Sequence, residues 1–300
     1  MRILAVVVTH NRSSLLDRCL KALKFQSTKP DLILVINNGC TDDTDEVIAR
    51  HGVLQIKQDN IGSAGGWHTG IQYFSKNKFD ACWLMDDDGF PESSALENLK
   101  LNLRDTDSCI SSCVMKENNR SEFVFPIPRL NTLNNPILFG FKRKYYNLNE
   151  INNLNLDSYP YAHLFNGALI VAKSVEAIGN INKDYFIMGD EVDYFYRLKT
   201  VGNVRTIFSA IHYHPDVSKR QYSNDKIYYL LKNTIINHNK YFDKAMIRNA
   251  CLILVVMLRV LKRNGLGFFF KLISKRDLLI FSAVYNGFRG KIGTNRIDNL

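Results

Sequence analysis

The stretch Cys82–Pro91, CWLMDDDGFP, sets three carboxylates side by side at the end of an apolar run. Like charges in contact repel, so Asp86, Asp87 and Asp88 need either open solvent or a cation. Working outward, the run belongs to a repeating pattern. ILAVVVT (3–9), DLILVINN (31–38), VLQIKQ (53–58) and DACWLMDDD (80–88) read as buried strands. Helices alternate with them. SSLLDRCLKALKFQ (13–26) puts Leu15, Leu16, Cys19, Leu20 and Leu23 on one side, and TDDTDEVIARHG (41–52) has Thr41 or Asp42 near its N-cap and Gly52 past its end. AGGWHTGIQYFSKN (64–77) and PESSALENLKLNLR (91–104) complete the series. Strict alternation implies an α/β chain with a parallel sheet flanked by helices. Ligands of such sheets bind at the carboxyl ends of the strands. Thr9–Arg12, Asn37–Gly39, Asn60–Gly66 and Asp86–Asp88 all fall there.

Beyond this, residues 104–160 are Asn-rich, with Pro126, Pro128 and Pro136, and read as short strands and loops. LFNGALIVAK (164–173) is a strand, Asp190 to Thr200 a helix, and VRTIFSAIHYH (204–214) a strand. From about 222 the chain is helical and basic. The expected division is therefore 1–221 and 222–300.

The 300 residues, 46% hydrophobic and 11% aromatic, are enough to bury a real core. A net charge of +10 favours anionic partners such as nucleotide phosphates or anionic lipid. The charge is uneven, and a wholly basic nucleic-acid binder would not carry DDD and GDEVD in its middle. Six scattered cysteines without a CxxC pair read as free thiols in a reducing compartment. The apolar run at the N-terminus reads as a strand rather than a signal peptide. No run reaches the roughly 18 uninterrupted apolar residues of a spanning helix. The expected location is the cytoplasm.

Four constellations carry chemistry. Carboxylates at a strand end suit a hard divalent cation, Mg²⁺ or Mn²⁺. If the strand runs through the triplet, Asp86 and Asp88 converge and Asp87 faces away. In YFIMGDEVDYFYRL, Asp190, Glu191 and Asp193 open a helix, where the dipole favours one or two acids and leaves one for general-base work. In SAIHYHPD, His212 and His214 alternate on one face, and either can reach a metal. In DNIGSAGGWHTG, Gly62, Gly65 and Gly66 precede a helix and allow anion binding at its N-terminus, although the spacing is neither a Rossmann fingerprint nor a P-loop.

VVVTHNRSSLLDRCLKAL, VINNGCTDDT, NIGSAGGWHTG, WLMDDDG and GDEVDYFYR occur in an order and spacing that resemble the inverting family 2 glycosyltransferases of GT-A fold. The chain is most similar to bacterial galactofuranosyltransferases, with rhamnosyltransferases next. The resemblance covers about residues 1–220. It implies a nucleotide-sugar donor and a divalent cation, with Asp86 and Asp88 on the metal and diphosphate and Asp87 near the donor sugar or ribose. Thr9 and Arg12 match the first nucleotide-contacting loop. Asn37, beside Asn38, stands where many relatives have an acid contacting the base. Asn60, Gly62, Gly65 and Gly66 match the loop beside the donor, with Trp67 and His68 just past it. Counting back from Arg197, the base position falls on Glu191 and a second acid on Asp193, with Asp190 a rival base. The histidine completing the metal site matches His214 better than His212.

The implied activity is metal-dependent transfer of galactofuranose from UDP-galactofuranose to a lipid-linked surface polysaccharide, with dTDP-rhamnose as the second donor. Acceptor specificity is expected within residues 104–160. In the tail, Arg259, Lys262, Arg263, Lys271, Lys275 and Arg276 surround apolar faces. That pattern fits helices lying on an anionic inner leaflet, near a polyprenyl-linked acceptor, and also a homo-oligomer interface or simple packing on the sheet domain. Two other classes are weaker. A nucleotidyltransferase would begin with a Gly-rich basic loop, which VVVTHNRSS lacks. A non-enzymatic basic binding module would leave the ordered acids unexplained.

Overall fold

The computed structural model of the chain describes residues 1–154, 156–274 and 278–294. Lys275 and Arg276, counted above among the basic residues of the tail, lie outside the described residues. The first strands are β1 (Ile3–Thr9), β2 (Leu32–Asn38), β3 (Leu54–Gln58) and β4 (Ala81–Asp86). Between them run α1 (Ser13–Lys24), α2 (Thr44–His51) and α3 (Gly62–Lys76). Then follow β5 (Phe90–Pro91), α4 (Ala95–Asn102), β6 (Asp107–Lys116), β7 (Glu122–Pro128), β8 (Lys144–Asn147), α5 (Leu148–Asn152) and β9 (Ser158–Tyr159). The sheet is completed by β10 (Asn166–Val171), α6 (Ala172–Ile178), a 3₁₀ turn at Lys183–Tyr185, α7 (Asp190–Leu198) and β11 (Asn203–His214). The C-terminal helices are α8 (Asn224–Tyr241), α9 (Ala245–Ser274, broken at Gly265) and α10 (Leu279–Phe288).

The main sheet runs in the order β3-β2-β1-β4-β10-β6-β11-β5. Its first four strands are parallel, as the alternation implies. β10 then runs antiparallel between β4 and β6, and β11 returns parallel to β6. Apolar side chains fill both faces. Ile3, Ala5 and Val7 pack under α1 and α4, while Leu4, Val6 and Val8 pack under α3 and α7. The carboxyl ends of β1, β2 and β4 therefore open on one edge, beside the amino end of β10.

The central strand β6 has no apolar signature in the sequence: DSCISSCVMK is rich in Ser and Cys. It is buried along almost its full length because its polar side chains find partners. Ser111 Oγ donates to the His163 carbonyl at 2.7 Å and Ser112 Oγ to the Gly167 carbonyl at 3.2 Å. The buried Arg205 guanidinium on β11 pairs with Asp107 at 2.6 Å.

Helix α8 is not a detached appendage. Asn233 Nδ2 donates to the carbonyls of Tyr185, Ile187 and Met188, at 3.0, 3.0 and 2.7 Å. Asn237 Nδ2 donates to Gly189 O at 2.8 Å. These bonds cross the expected boundary at 221/222 and hold the loop that leads into α7.

Candidate active site

Strand β4 ends at Asp86, and Asp87 and Asp88 lie in the turn that follows. The expected alternation, with Asp87 facing away from its neighbours, therefore does not hold. Once the chain leaves extended geometry, i and i+2 no longer share a face. Asp87 and Asp88 instead share one guanidinium. Arg12 Nη1 lies 2.9 Å from Asp87 Oδ1 and 3.1 Å from Asp88 Oδ2. Thr9 Oγ1 donates to Asp87 Oδ2 at 2.7 Å. Asp86 makes no ion pair among the described residues: burial, then the charges of Asp88 and Asp87, outweigh the pull of Arg12 and push its carboxyl well above the usual range.

Asp88 is the most heavily partnered of the three. His214 Nε2 stands 3.0 Å from its Oδ1, and both terminal nitrogens of Arg220 stand 3.3 Å from its Oδ2. Burial opposes its charge. The hydrogen bond and charge of His214, with Arg12 and Arg220, outweigh burial and hold the carboxyl below the usual range. His214 Nδ1 lies 2.7 Å from the Pro215 carbonyl, which can only accept, so this nitrogen carries the proton. A neutral ring then turns a bare Nε2 towards a carboxylate oxygen, lone pair against lone pair. A second proton on the ring, or a divalent cation between the two, relieves that contact.

A carboxylate and an imidazole suit Mn²⁺ or Mg²⁺ chemically. Among the described residues, however, no group of three or more His, Cys, Asp or Glu side chains is arranged to hold a metal. Asp86 does not join Asp88 and His214 in one ligand cluster. The residues therefore fit a cation that takes two protein ligands and draws the rest from substrate phosphates and water.

His212 is elsewhere. It is fully buried, neither ring nitrogen has a partner among the described residues, and burial pushes its pKa down to about 3. The ring fills the space between two glycines. A Cβ on Gly89 would come within 2.2 Å of its Nε2, and one on Gly167 within 3.3 Å of its Nδ1. It packs beneath the turn, and His214 is the histidine that meets the triplet.

The glycine loop is used for packing more than for anions. Gly62 has φ +78°, and a Cβ there would lie 2.1 Å from the Phe186 carbonyl, which also accepts from Ala64 N at 3.0 Å. Gly62 N donates to Asn60 Oδ1 at 3.0 Å. These two amides of the α3 N-terminus are thus already engaged. Gly65 faces Ile61, and Gly66 lets the helix close on Val8 of β1. Trp67, expected beside the donor, is buried in the core and stacked on Phe165 at 4.4 Å. His68 binds the Ile181 carbonyl at 2.7 Å.

The asparagines brace loops. Asn37 donates to Asp45 at 2.9 Å and accepts from Cys40 N at 2.8 Å. Asn38 donates to Asn60 Oδ1 and to the Gly62 carbonyl.

The second acidic cluster divides sharply. Asp193 accepts from Arg197 Nε at 2.9 Å, Lys240 Nζ at 2.8 Å and Tyr241 Oη at 2.6 Å, so it is an internal anchor between α7 and α8. Asp190 is buried with an unpartnered Oδ2, and burial, then the charge of Glu191, raise its pKa to about 7. Glu191 is the acid turned to the first cluster. Its charge acts on Asp86, its Oε1 accepts from Leu164 N at 2.7 Å, and His163 Nδ1 lies 3.7 Å away. Its side chain keeps 32% of its surface exposed, which a base needs to meet an acceptor.

Several contributors carry no signal in the sequence. Segment 163–166 floors the site: Phe165 O accepts from Asp86 N at 2.8 Å, while His163 Nε2 and Asn166 Oδ1 are buried without partners among the described residues. Arg18 donates to the Asp88 carbonyl at 2.8 Å. Arg220 and Lys226 lie far along the chain. Burial, then the nearby charges of Arg220, Arg263 and Arg12, hold the Lys226 ammonium below its usual range, which marks a basic rim beside Asp88. A run of basic residues after HYH was the one available hint.

The arrangement brings acids, a histidine and a basic rim to the strand ends of a mixed α/β sheet, which defines a GT-A glycosyltransferase. Known proteins agree. The glycosyl transferase family 2 profile matches residues 4–165, more than half the chain. Galactofuranosyltransferase GlfT1 of Mycolicibacterium smegmatis is 31% identical over 219 residues, 70% of each chain. GlfT1 of Mycobacterium tuberculosis is 31% identical over 222 residues, 71% of this chain and 70% of its own. The chain belongs to glycosyl transferase family 2. In fold it is similar to the mannosyltransferase PcManGT of Pyrobaculum calidifontis in complex with GDP-Man and Mn²⁺, with TM-score 0.57 and 14% identity over 96% of this chain and 79% of that one. It is similar also to S. aureus TarS 1–349 in complex with UDP, with TM-score 0.58 and 10% identity over 97% and 81%.

Proposed function

We propose that this glycosyltransferase is inverting and divalent-metal-dependent, and moves galactofuranose from UDP-galactofuranose to a growing lipid-linked glycan at the cytoplasmic face of the membrane. The donor reading rests on the two galactofuranosyltransferase relatives, and the nucleotide and metal readings draw support from solved neighbours bound to UDP or Mn²⁺. The observation that carries the mechanism is the setting of Glu191, a third exposed at the start of α7, with one oxygen held by the Leu164 amide and its charge reaching Asp86.

Asp88 and His214 would hold the cation, which when bound offsets charge on the departing nucleoside diphosphate. Arg12, Arg220 and Lys226 hold the diphosphate at the same corner. The Leu164 amide fixes one oxygen of Glu191 and leaves Oε2, which makes no hydrogen bond among the described residues. Glu191 Oε2 takes the proton of an acceptor hydroxyl, which attacks the anomeric carbon from the face opposite the diphosphate. A single displacement inverts that centre. Asp190, neutral below about pH 7, keeps a second negative charge away from Glu191.

The test is release of the nucleoside diphosphate, UDP or dTDP, with and without Mn²⁺, across a panel of nucleotide sugars and a galactose-containing acceptor. UDP-galactofuranose turned over only with metal is the expected result. Turnover of dTDP-rhamnose in its place would reassign the donor, and metal-independent turnover would remove the cation from the reading.

A further inference from the structure

The insertion between β7 and β8 carries an exposed tip, LFGFKRK (138–144), that the site does not use. Phe141 is fully exposed, and Phe139 keeps 61% of its surface. Leu133 on the same insertion and Tyr146 on the adjoining β8 are also exposed. Three basic residues, Lys142, Arg143 and Lys144, follow the two phenylalanines directly. Aromatic side chains left this open at a loop tip bring little stability to the fold, since they bury little on folding.

Two contacts fix where the tip lies. At the start of α9, Arg248 Nη2 donates to the Pro136 carbonyl at 2.8 Å, with Asn135 on Asp243 beside it at 3.4 Å. Eleven residues further along α9, about 16 Å of helix, Arg259 is close enough that its charge acts on Lys144. The insertion therefore meets the start of α9 through Pro136, and its Lys144 end lies within electrostatic reach of Arg259. The same part of α9 exposes Met246, Ile247, Leu254 and Leu258, a spacing of one helical face, while Val256 and Val260 turn inward. Arg259 and Lys262 flank the exposed stripe.

We infer that the 138–144 tip and the outer face of α9 form one docking surface for an anionic lipid leaflet, with Phe139 and Phe141 entering the acyl boundary and Lys142, Arg143, Lys144, Arg259 and Lys262 meeting headgroups. Charge decides the occupant. The patch gathers five cations from two distant parts of the chain, and like-charge crowding within it is relieved by a negative surface and worsened by a second copy of the same patch. The described helices are not long and apolar enough to cross a membrane, so binding through this face is peripheral. This inference rests on the membrane-side acceptor of the reading above and extends it by a named surface. The same insertion also meets α7, the helix whose first turn carries Glu191, where Tyr196 Oη donates to Asn135 Oδ1 at 3.3 Å.

The experiment is co-sedimentation of the full chain with vesicles of phosphatidylcholine alone or with phosphatidylglycerol, using wild type, Phe139→Ser/Phe141→Ser and Lys142→Glu. The UDP-induced thermal shift of each variant serves as the folding and donor-site control. Wild type should bind the anionic vesicles and lose binding in high salt. The double Phe variant should bind about tenfold less or weaker, with the UDP shift intact, and Lys142→Glu should lose a smaller, salt-sensitive part. Equal binding by wild type and the double variant would overturn the surface while leaving membrane association standing. Wild type that ignores anionic vesicles would overturn both. Wild type that is dimeric by light scattering, with the double Phe variant monomeric, would assign the face to a second copy and overturn the lipid occupant. Failure of the glycosyl-transfer reading would show separately, as absence of UDP release with vesicle binding unaffected.

Discussion

The two acidic clusters, Asp86–Asp88 and Asp190–Asp193, look alike in sequence and are used in opposite ways. In the first, the later acids are held by cations: Asp87 and Asp88 share Arg12, and Asp88 also meets Arg220 and His214. In the second, the last acid, Asp193, is consumed by internal structure. What remains in each is one acid with no ion pair among the described residues, Asp86 and Asp190, and beside Asp190 the partly exposed Glu191. Arg12 and Arg220, which hold Asp87 and Asp88, come from loops at the strand ends, where a ligand can take their place. The partners of Asp193 come from α7 itself and from α8, and tie the two helices together. A row of acids therefore identifies a site only after its partners are sorted.

The largest expected effect breaks the comparison at Glu191. Glu191→Gln should lower transfer about a thousandfold, within the usual span for a general base, while UDP binding stays. If Asp190→Asn removes transfer and Glu191→Gln spares it, the base moves to the buried acid. Next comes the cation corner. Asp88→Asn or His214→Ala should cost about a hundredfold in kcat/KM, in the range for altered metal support, with part of the loss recovered by raising Mn²⁺. His212→Phe should not respond to Mn²⁺, because that ring packs between glycines.

A smaller effect tests the anchor side. Asn233→Ala removes the amide whose two N–H groups serve three carbonyls of the loop before α7, at about 1 kcal/mol net for each N–H. A drop of several degrees in Tm and roughly tenfold in kcat, with KM for the donor little changed, is expected from misplacing Glu191. An unchanged kcat at lower Tm would confine the residue to stability.

The mildest effect is on pH dependence. The folded pKa of Asp190, about 7, is raised above that of an unfolded carboxyl. Its proton uptake favours the folded state below the ordinary carboxylate range, and that contribution is lost as pH rises through about 7. Thermal unfolding of wild type should therefore decline between about pH 5 and 8 more than that of Asp190→Asn. Parallel curves would mean that Asp190 is ionised throughout.

Much of the fold was legible, because the apolar runs 3–9, 31–38 and 80–86 and the α1 and α7 periodicities are signals of burial that depend on local spacing alone. Strand β6 was not, since serines satisfied by distant carbonyls leave no apolar pattern. The same limit applies to the site. The acids, Arg12 and His214 could be picked out by type and position. The end of β4 at Asp86, which undid the expected alternation, and the burial of Trp67 depend on packing against other segments.

The sequence by itself determined that acids and a histidine stand at the strand ends of an α/β sheet, because period and residue type are local properties. Only the tertiary structure decided which acid keeps its charge free, which is tied down, and which basic residues face them. Those outcomes depend on partners 27 to 132 residues away in the chain, such as Leu164 for Glu191 and Arg220 for Asp88. Coulomb and desolvation energies depend on distance in space, and distance along the chain does not encode it.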